Sequence, residues 1–93
     1  MASNFVPSLE VSVDENTGIV RAAYLRIRQG EVADTREVSE GRAFADYSAE
    51  GTLLGIELLA PCDVAVLDRV AAQESEPVKR FLRGGAPREL VSA

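Results

Sequence analysis

Residues 46–59 of this 93-residue chain read DYSAEGTLLGIELL, a stretch that predicts two strands joined by a tight turn. The turn is Ser48-Ala49-Glu50-Gly51, which is typical of a type I turn that ends in a left-handed glycine. After the turn, Leu54, Ile56 and Leu58 alternate with other residues and are expected to share one buried face. The stretch therefore predicts an antiparallel hairpin with an apolar side.

The same alternation of apolar and polar residues extends upstream of the hairpin. Further strands are predicted at roughly 9–13, 19–28, 32–38 and 42–47, with short turns between them. Short connections make neighbouring strands antiparallel, because a parallel crossover needs a dozen or more residues. We expect residues 9–59 to form an antiparallel β-meander of about five strands.

The spacing of apolar residues changes to a helical period after Pro61. Asp63 is a suitable helix cap, and an apolar stripe follows at Val64, Val66, Leu67, Val70 and Ala71. Ser75-Glu76-Pro77 is a second helix start, and Gly84-Gly85 is a stop. One or two C-terminal helices, roughly 63–73 and 77–83, are predicted to cover the apolar face of the sheet.

These elements predict a single α+β domain in three parts. Residues 1–8 form a loose N-terminal arm, residues 9–60 the β-meander, and residues 61–93 a helical segment that packs on the sheet. A chain of this length buries only about 60–65% of the surface it exposes when unfolded, so its core is small. Self-association would add to that burial.

Composition narrows the classes of partner and of chemistry. The net charge of −5 disfavours nucleic acid and anionic membranes, and no apolar run approaches the ~18 residues of a membrane span. The N-terminus lacks the pattern of a secretion signal, and the single Cys62 cannot form an internal disulfide, so we expect a cytoplasmic protein. The chain has no histidine, which excludes Cys–His and Ser–His–Asp catalysis within it.

Asp46 and Glu57 are the carboxylates to weigh as a site. Two carboxylates on neighbouring strands can share a proton or hold a metal, but a carboxylate pair without a third ligand is a poor metal site. We expect them instead to form cross-strand ion pairs with three candidate arginines, Arg21, Arg26 or Arg28. No metal, cofactor or catalytic residue is predicted.

Tyr24 and Tyr47 are expected to cover the half-exposed faces of the sheet, because tyrosine has an apolar body and a polar tip. Gly55 lies in the middle of a predicted strand, where a glycine marks a bulge or a close approach. The approaching group is expected to be a backbone, from the helix or from a second copy of the chain.

Several short motifs together resemble the bacterial family known as domain of unknown function 2283. They are Tyr24-Leu25-Arg26-Ile27, then Gly30, Val32, Thr35 and Gly41, then Asp46-Tyr47 with Gly51, and finally Gly55-Ile56-Glu57-Leu58-Leu59. The resemblance covers Val13 to about Leu59, and Ser48 stands where the family usually has a second aspartate. It implies a small meander with a C-terminal helix, and it implies no established activity, substrate or catalytic residue.

The C-terminal segment carries the one local excess of positive charge. From Pro77 onward the net charge is +3, from the four basic residues Lys79, Arg80, Arg83 and Arg88 against Glu89, whereas residues 1–76 have a net charge of −8. Cations near a helix C-terminus complement the helix dipole. The alternative is that this segment docks on an acidic surface of a partner or of a second protomer.

The sequence predicts a non-enzymatic interaction module, a homodimer or a binder of a small protein, antitoxin-like in its most concrete version. The residues predicted to contact a partner or ligand are Tyr24, Asp46, Tyr47, Glu57, Lys79, Arg80 and Arg83. The alternative is a small-molecule binder with a pocket between sheet and helix, lined by Tyr24, Phe44, Tyr47 and Leu59. The core is expected to leave less than the ~300 Å³ of a typical ligand site. An enzyme using Asp46 and Glu57 as acid and base is the least favoured class.

Overall fold

The structure is a computed structural model that describes residues 5–59, 62–63, 65–88 and 90–92. The five strands of its main sheet are β1 Phe5–Val13, β2 Val20–Arg28, β3 Asp34–Ser39, β4 Ala43–Tyr47 and β5 Leu53–Leu59. All neighbouring pairs in this sheet are antiparallel. The predicted α+β class, with an antiparallel sheet followed by helices, is confirmed.

The strand order is β1-β2-β5-β4-β3, which differs from a sequential meander. Strands β3, β4 and β5 are consecutive hairpins, and β2 lies beside β5, so these four strands have the Greek-key order. The most polar strand, β3, takes the outer edge, and the most apolar strand, β5, takes the centre. This strand order leaves the polar side chains of β3 accessible to solvent and buries the apolar side chains of β5.

The connection from β2 to β3 is short but reaches across the end of two strands. Residues 29–33 can span about 17 Å when extended, and three strand spacings amount to roughly 14 Å. The connection passes Leu54, because a Cβ added to Gly30 would lie 3.0 Å from the Cδ2 atom of Leu54. The amide of Ala33 donates to the carbonyl of Tyr47 at 2.9 Å, which fixes the end of the crossing.

Strand β1 begins at Phe5, inside the segment predicted as a loose arm. Pro7 is tolerated because β1 is an edge strand, and the register with β2 shifts between Phe5 and Ser8. Phe5 also packs on α2, with its ring centroid 5.9 Å from that of Phe81. The predicted arm over residues 1–4 lies outside the described residues.

Two helices cover one face of the sheet, which we call the inner face. Helix α1 is Ala65–Val70 and helix α2 is Glu76–Gly85, close to the two predicted segments. Ser75 is the N-cap of α2 and a proline follows within its first positions, as the sequence predicts. The predicted helical residue Val64 lies outside the described residues. A two-residue parallel pair, β6 Cys62–Asp63 and β7 Val91–Ser92, was not predicted.

The core lies between the inner face and the helices. Its largest fully buried side chains are Leu25, Ile27, Ile56, Leu58, Leu67, Val78, Leu82 and Leu90. The register between β4 and β5 shifts by one residue at Leu54 of β5, and this shift places Leu53 in the core in the position predicted for Leu54. Leu54 is also buried, but its contact is with the crossing at Gly30.

Candidate functional site

The face of the sheet away from the helices, the outer face, carries a chain of hydrogen bonds across four strands. The hydroxyl of Tyr24 on β2 donates to Asp46 Oδ2 on β4 at 2.9 Å. The hydroxyl of Thr35 on β3 donates to Asp46 Oδ1 at 2.6 Å. Asp46 therefore uses both carboxylate oxygens to tie β2 and β3 together across β4 and β5.

Position 55 requires a glycine, because the Tyr24 side chain crosses β5 at this position to reach Asp46. A Cβ at position 55 would lie 2.6 Å from the ring carbon Cζ of Tyr24, a separation that real Cβ atoms do not show. The expected close approach at Gly55 is therefore real, but the approaching group is a side chain of the same protomer. The prediction of an approaching backbone or second copy is wrong.

Burial and the neighbouring Asp46 carboxylate raise the pKa of Tyr24 to about 12, because both disfavour the phenolate. The guanidinium of Arg26, 5.5 Å from the centroid of the Tyr24 ring, acts in the opposite direction but is the smaller effect. Tyr24 thus remains a neutral hydrogen-bond donor across the physiological range. This is the behaviour of a structural tyrosine rather than of a general acid that works near neutral pH.

The predicted ion pairs of Asp46 and Glu57 with three arginines are not what the structure shows. Arg21 pairs with Asp14 at 2.8 Å, and Arg28 pairs with Glu74 at 2.6 Å. Arg21 and two backbone amides lower the pKa of Asp14.

Glu57 is exposed and lies opposite Tyr24 on one side and Phe44 on the other. Asp46 and Glu57 share the outer face, but they are not brought together as a pair of interacting carboxylates. Ser48, the departure from the family pattern, accepts a hydrogen bond from the Thr52 amide at 3.2 Å in the β4–β5 turn.

Tyr47 lies on the opposite side of the sheet from Tyr24. It is half-buried against the inner core, and the guanidinium of Arg36 stands 4.4 Å from its ring centroid. The basic residues Lys79, Arg80 and Arg83 are on α2, where Arg83 pairs with Asp68 of α1 at 3.1 Å. The seven residues predicted as contacts therefore divide among the outer face, the inner face and a helix, and do not form one site.

A groove of about 650 Å³ opens between the inner face and the connection from α1 to α2. It is lined by Arg28, Val38, Tyr47, Gly51, Thr52, Leu53, Arg69, Val70, Gln73 and Glu74. The expectation that the fold leaves too little volume for a ligand is wrong. Of the four predicted lining residues only Tyr47 is present, because Tyr24 and Phe44 are on the outer face.

The ion pair of Arg28 and Glu74 forms one wall of this groove. Both side chains are largely buried, and Arg28 also donates to the carbonyl of Leu53 at 2.8 Å. Glu74 lies in the segment between the helices and was not predicted as a site residue. In the sequence, Glu74 is an isolated acidic residue between two segments of helical periodicity. That pattern does not indicate which arginine forms an ion pair with Glu74.

The edge strand β1 carries apolar side chains that are exposed although they lie beside core residues of the sheet. Leu9, Val11 and Val13 lie opposite or beside core residues of β2, yet they remain 44%, 47% and 47% exposed. Helix α2 reaches Phe5 at the start of β1 and leaves the rest of this strand uncovered. Leu9, Val11 and Val13 therefore form a row of exposed apolar side chains along this edge of the sheet.

In the described part of the chain, no three side chains of the His, Cys, Asp or Glu types come close enough to hold a metal ion. Neither helix of this part is long and apolar enough to cross a bilayer.

The comparisons with known proteins agree with the motifs. The model of the family described as "Protein of unknown function (DUF2283)" matches residues 21–60. This match confirms the resemblance, and it spans β2 to β5 with the whole Tyr24–Asp46 network. No curated protein matches the chain. No solved structure matches it.

Proposed function

We propose that this protein is a non-catalytic interaction module that forms a homodimer through strand β1. The observation that supports this proposal is the exposed apolar row Leu9, Val11 and Val13 on the edge of the main sheet. An edge strand has backbone amides and carbonyls on its outer side that no neighbouring strand of the sheet satisfies, and such an edge pairs readily with another strand.

The two edges of the sheet differ in their protection against such pairing. Strand β3 at the other edge has six residues, and three of them, Asp34, Arg36 and Glu37, are charged. Strand β1 has nine residues, and Glu10 is its one charged side chain. Charges on an edge oppose pairing with a second sheet, so β1 is the edge suited to it.

A two-fold axis at Val11 gives the best register for β1 paired with its copy. Val11 then faces Val11 of the second copy, Leu9 faces Val13, and Glu10 faces Ser12. An axis at Glu10 would place two glutamates directly opposite, which is destabilising. An axis at Leu9 would set Val11 against Pro7, which lacks an amide donor.

A second copy suits β1 better than a basic antitoxin-type target. The exposed part of the strand offers one carboxylate, Glu10, to a positively charged partner, so electrostatic attraction there is weak. Its apolar residues instead match those of an identical strand. The dimer would be one continuous sheet of ten strands, and each copy would cover the apolar row of the other.

The experiment is sedimentation or gel filtration with light scattering on the wild type and on Val11→Glu. The wild type is expected to be a dimer. The variant is expected to dissociate about a hundredfold more readily, because it loses two apolar contacts and places like charges opposite each other. Val32→Glu is the matched control, since Val32 is 43% exposed and belongs to the loop between β2 and β3. A wild type that stays monomeric at millimolar concentration would contradict the proposal.

A cysteine at the axis tests the register. Val11→Cys should form an intermolecular disulfide under mild oxidation, because directly opposed residues of an antiparallel pair bring their Cβ atoms as close as about 4.5 Å, the upper end of the range that a disulfide spans. Val32→Cys serves as the control, and the wild type gives the background from Cys62. Equal cross-linking at both positions would contradict the Val11 axis. The existence of the dimer is tested separately by the scattering measurement.

The second candidate is a small-ligand binder, and the groove beside Tyr47 is the observation that favours it. Its volume lies within the ~300–1,000 Å³ range of ligand sites. A thermal-shift screen with small organic molecules tests this candidate. A compound that raises the melting points of the wild type and of Val11→Glu by the same amount would support a ligand function independent of the dimer.

A further inference from the structure

The groove between the inner face and the helices has a defined chemical character. Val38, Leu53 and Val70 supply apolar surface, and the ring of Tyr47 adds an aromatic wall. Arg28 and Arg69 supply two guanidinium groups, against the single carboxylate of Glu74. The lining therefore has a net charge of +1, in a chain whose net charge is −5.

The two arginines are engaged to different degrees. Arg28 is only 16% exposed, and its guanidinium is held by Glu74 at 2.6 Å and by the Leu53 carbonyl at 2.8 Å. Arg69 is exposed, and its Nη2 atom donates to the Val38 carbonyl at 3.1 Å. A guanidinium has five N–H donors, so this contact orients Arg69 while most of its donors remain for another acceptor.

The charge of the lining decides between ligand classes. A cationic ligand would need Glu74, but the carboxylate of Glu74 is already neutralised by Arg28. An anionic ligand would meet Arg69, whose planar donor pair matches a carboxylate. The apolar and aromatic walls would contact the rest of such a molecule.

We propose that this groove binds a small organic monoanion with an apolar or aromatic body. The anionic group pairs with Arg69, and the body lies against Tyr47, Leu53 and Val70. Arg28 and Glu74 act as a rigid wall, because their ion pair ties the end of β2 to the segment between the helices. The site contains no residue of β1, so it does not rest on the proposed dimer.

The test uses cinnamate and its neutral isostere cinnamamide as probes. Each is titrated into isotope-labelled protein, and the amide signals in NMR spectra report both the affinity and the place of binding. We expect saturable shifts at groove residues, Val70 and Gln73 among them, with cinnamate. Cinnamamide should bind about tenfold more weakly, since it lacks the charge-assisted contact with Arg69.

Two arginine variants separate a specific contact from general charge. Arg69→Gln should weaken cinnamate binding about tenfold and leave cinnamamide binding unchanged. Arg80→Gln removes the same charge from an exposed residue of α2 outside the groove and should leave both affinities unchanged. The thermal melting point of each variant verifies that the fold is retained.

Four results would overturn this proposal. They are the absence of saturable cinnamate binding, shifts confined to residues 9–13, equal affinity for the two probes, and equal losses in Arg69→Gln and Arg80→Gln. The Val11→Glu variant distinguishes the failure of this site from the failure of the dimer. A monomeric variant that still binds cinnamate at the groove supports both proposals, and binding that disappears with the dimer contradicts the placement of the site.

Discussion

The two faces of strand β5 are stabilised by different interactions. Ile56 and Leu58 point to the inner face and are fully buried under the helices. Gly55 and Glu57 point to the outer face, where Gly55 lies beneath Tyr24 and Glu57 is exposed. Inner-face stability comes from non-directional burial, and outer-face stability comes from a few directed hydrogen bonds. Substitutions on the two faces should therefore differ in size and in kind.

The largest expected effect is on the inner face. Ile56→Asp should prevent folding, because it removes a fully buried side chain and leaves a carboxylate in the core without a partner. The cost should exceed the total stability of a domain this small, typically about 5–10 kcal/mol.

Far-ultraviolet circular dichroism and urea titration measure this effect. The neighbouring outer-face change Glu57→Gln is the control, and it should alter the free energy of unfolding by less than about 0.5 kcal/mol. A cooperative urea transition in Ile56→Asp would contradict the proposed core. Unfolding by Glu57→Gln would contradict the assignment of an exposed, structurally neutral carboxylate.

The second effect, of intermediate size, concerns the crossing of Tyr24 over Gly55. Gly55→Ala should lower the free energy of unfolding by about 1–2 kcal/mol, because the added methyl group displaces Tyr24 and breaks its bond to Asp46. A double-mutant cycle with Tyr24→Ala measures the coupling. In the Tyr24→Ala background Gly55→Ala should be neutral or stabilising, since alanine is less flexible than glycine. Additive losses would contradict the close approach.

The smallest effect is the loss of the Tyr24 hydroxyl. Tyr24→Phe should cost about 1 kcal/mol at neutral pH, the usual value of a single hydrogen bond. Burial and Asp46 raise the pKa of Tyr24 from its ordinary value of 10.0 to about 12 in the folded chain. Between these values the unfolded chain loses the proton first, so the stabilisation is complete below pH 10 and is lost as pH rises through about 12.

Urea titrations of the wild type and of Tyr24→Phe between pH 8 and pH 12 measure this prediction. The difference in stability between the two proteins should shrink toward the alkaline end of the series. Absorbance titration of a Tyr47→Phe variant isolates the ionisation of Tyr24, because the chain has two tyrosines. An ionisation midpoint near 10 would contradict the partly buried hydrogen bond to Asp46.

The local elements were predictable because each depends on neighbouring residues. Alternation of apolar and polar residues located β2 to β5, and the turn at Ser48–Gly51 closes as expected, with Gly51 at φ 85°. Its amide donates to the Ser48 carbonyl at 2.9 Å. The two helix starts were also readable, since Asp63 Oδ1 accepts a hydrogen bond from the Ala65 amide at 2.9 Å, and Ser75 occupies the N-cap position of α2 with Pro77 in the first turn.

Strand order and the candidate site were not predictable in the same way. A meander and the observed order have the same periodicity and the same short loops, and only long-range burial separates them. The sequence held one indication of the strand order. Asp34, Arg36 and Glu37 make β3 a charged strand, and charged strands are typical of a sheet edge. The groove was missed because its wall depends on a pairing of Arg28 with Glu74 across 46 positions of the chain.

The sequence alone determined strands β2 to β5, the approximate positions of the two helices, the turn at Ser48–Gly51, and the division into a sheet and a helical segment. These features follow from interactions within a few residues, whose energies depend little on the rest of the fold. Three features were decided only by the tertiary structure. Strand β5 lies between β2 and β4, Tyr24 reaches Asp46 across Gly55, and β1 has an exposed apolar row. Each of these depends on which distant segments compete for the same surface. The helices are too short to cover the whole inner face, and that shortfall leaves the apolar row on β1.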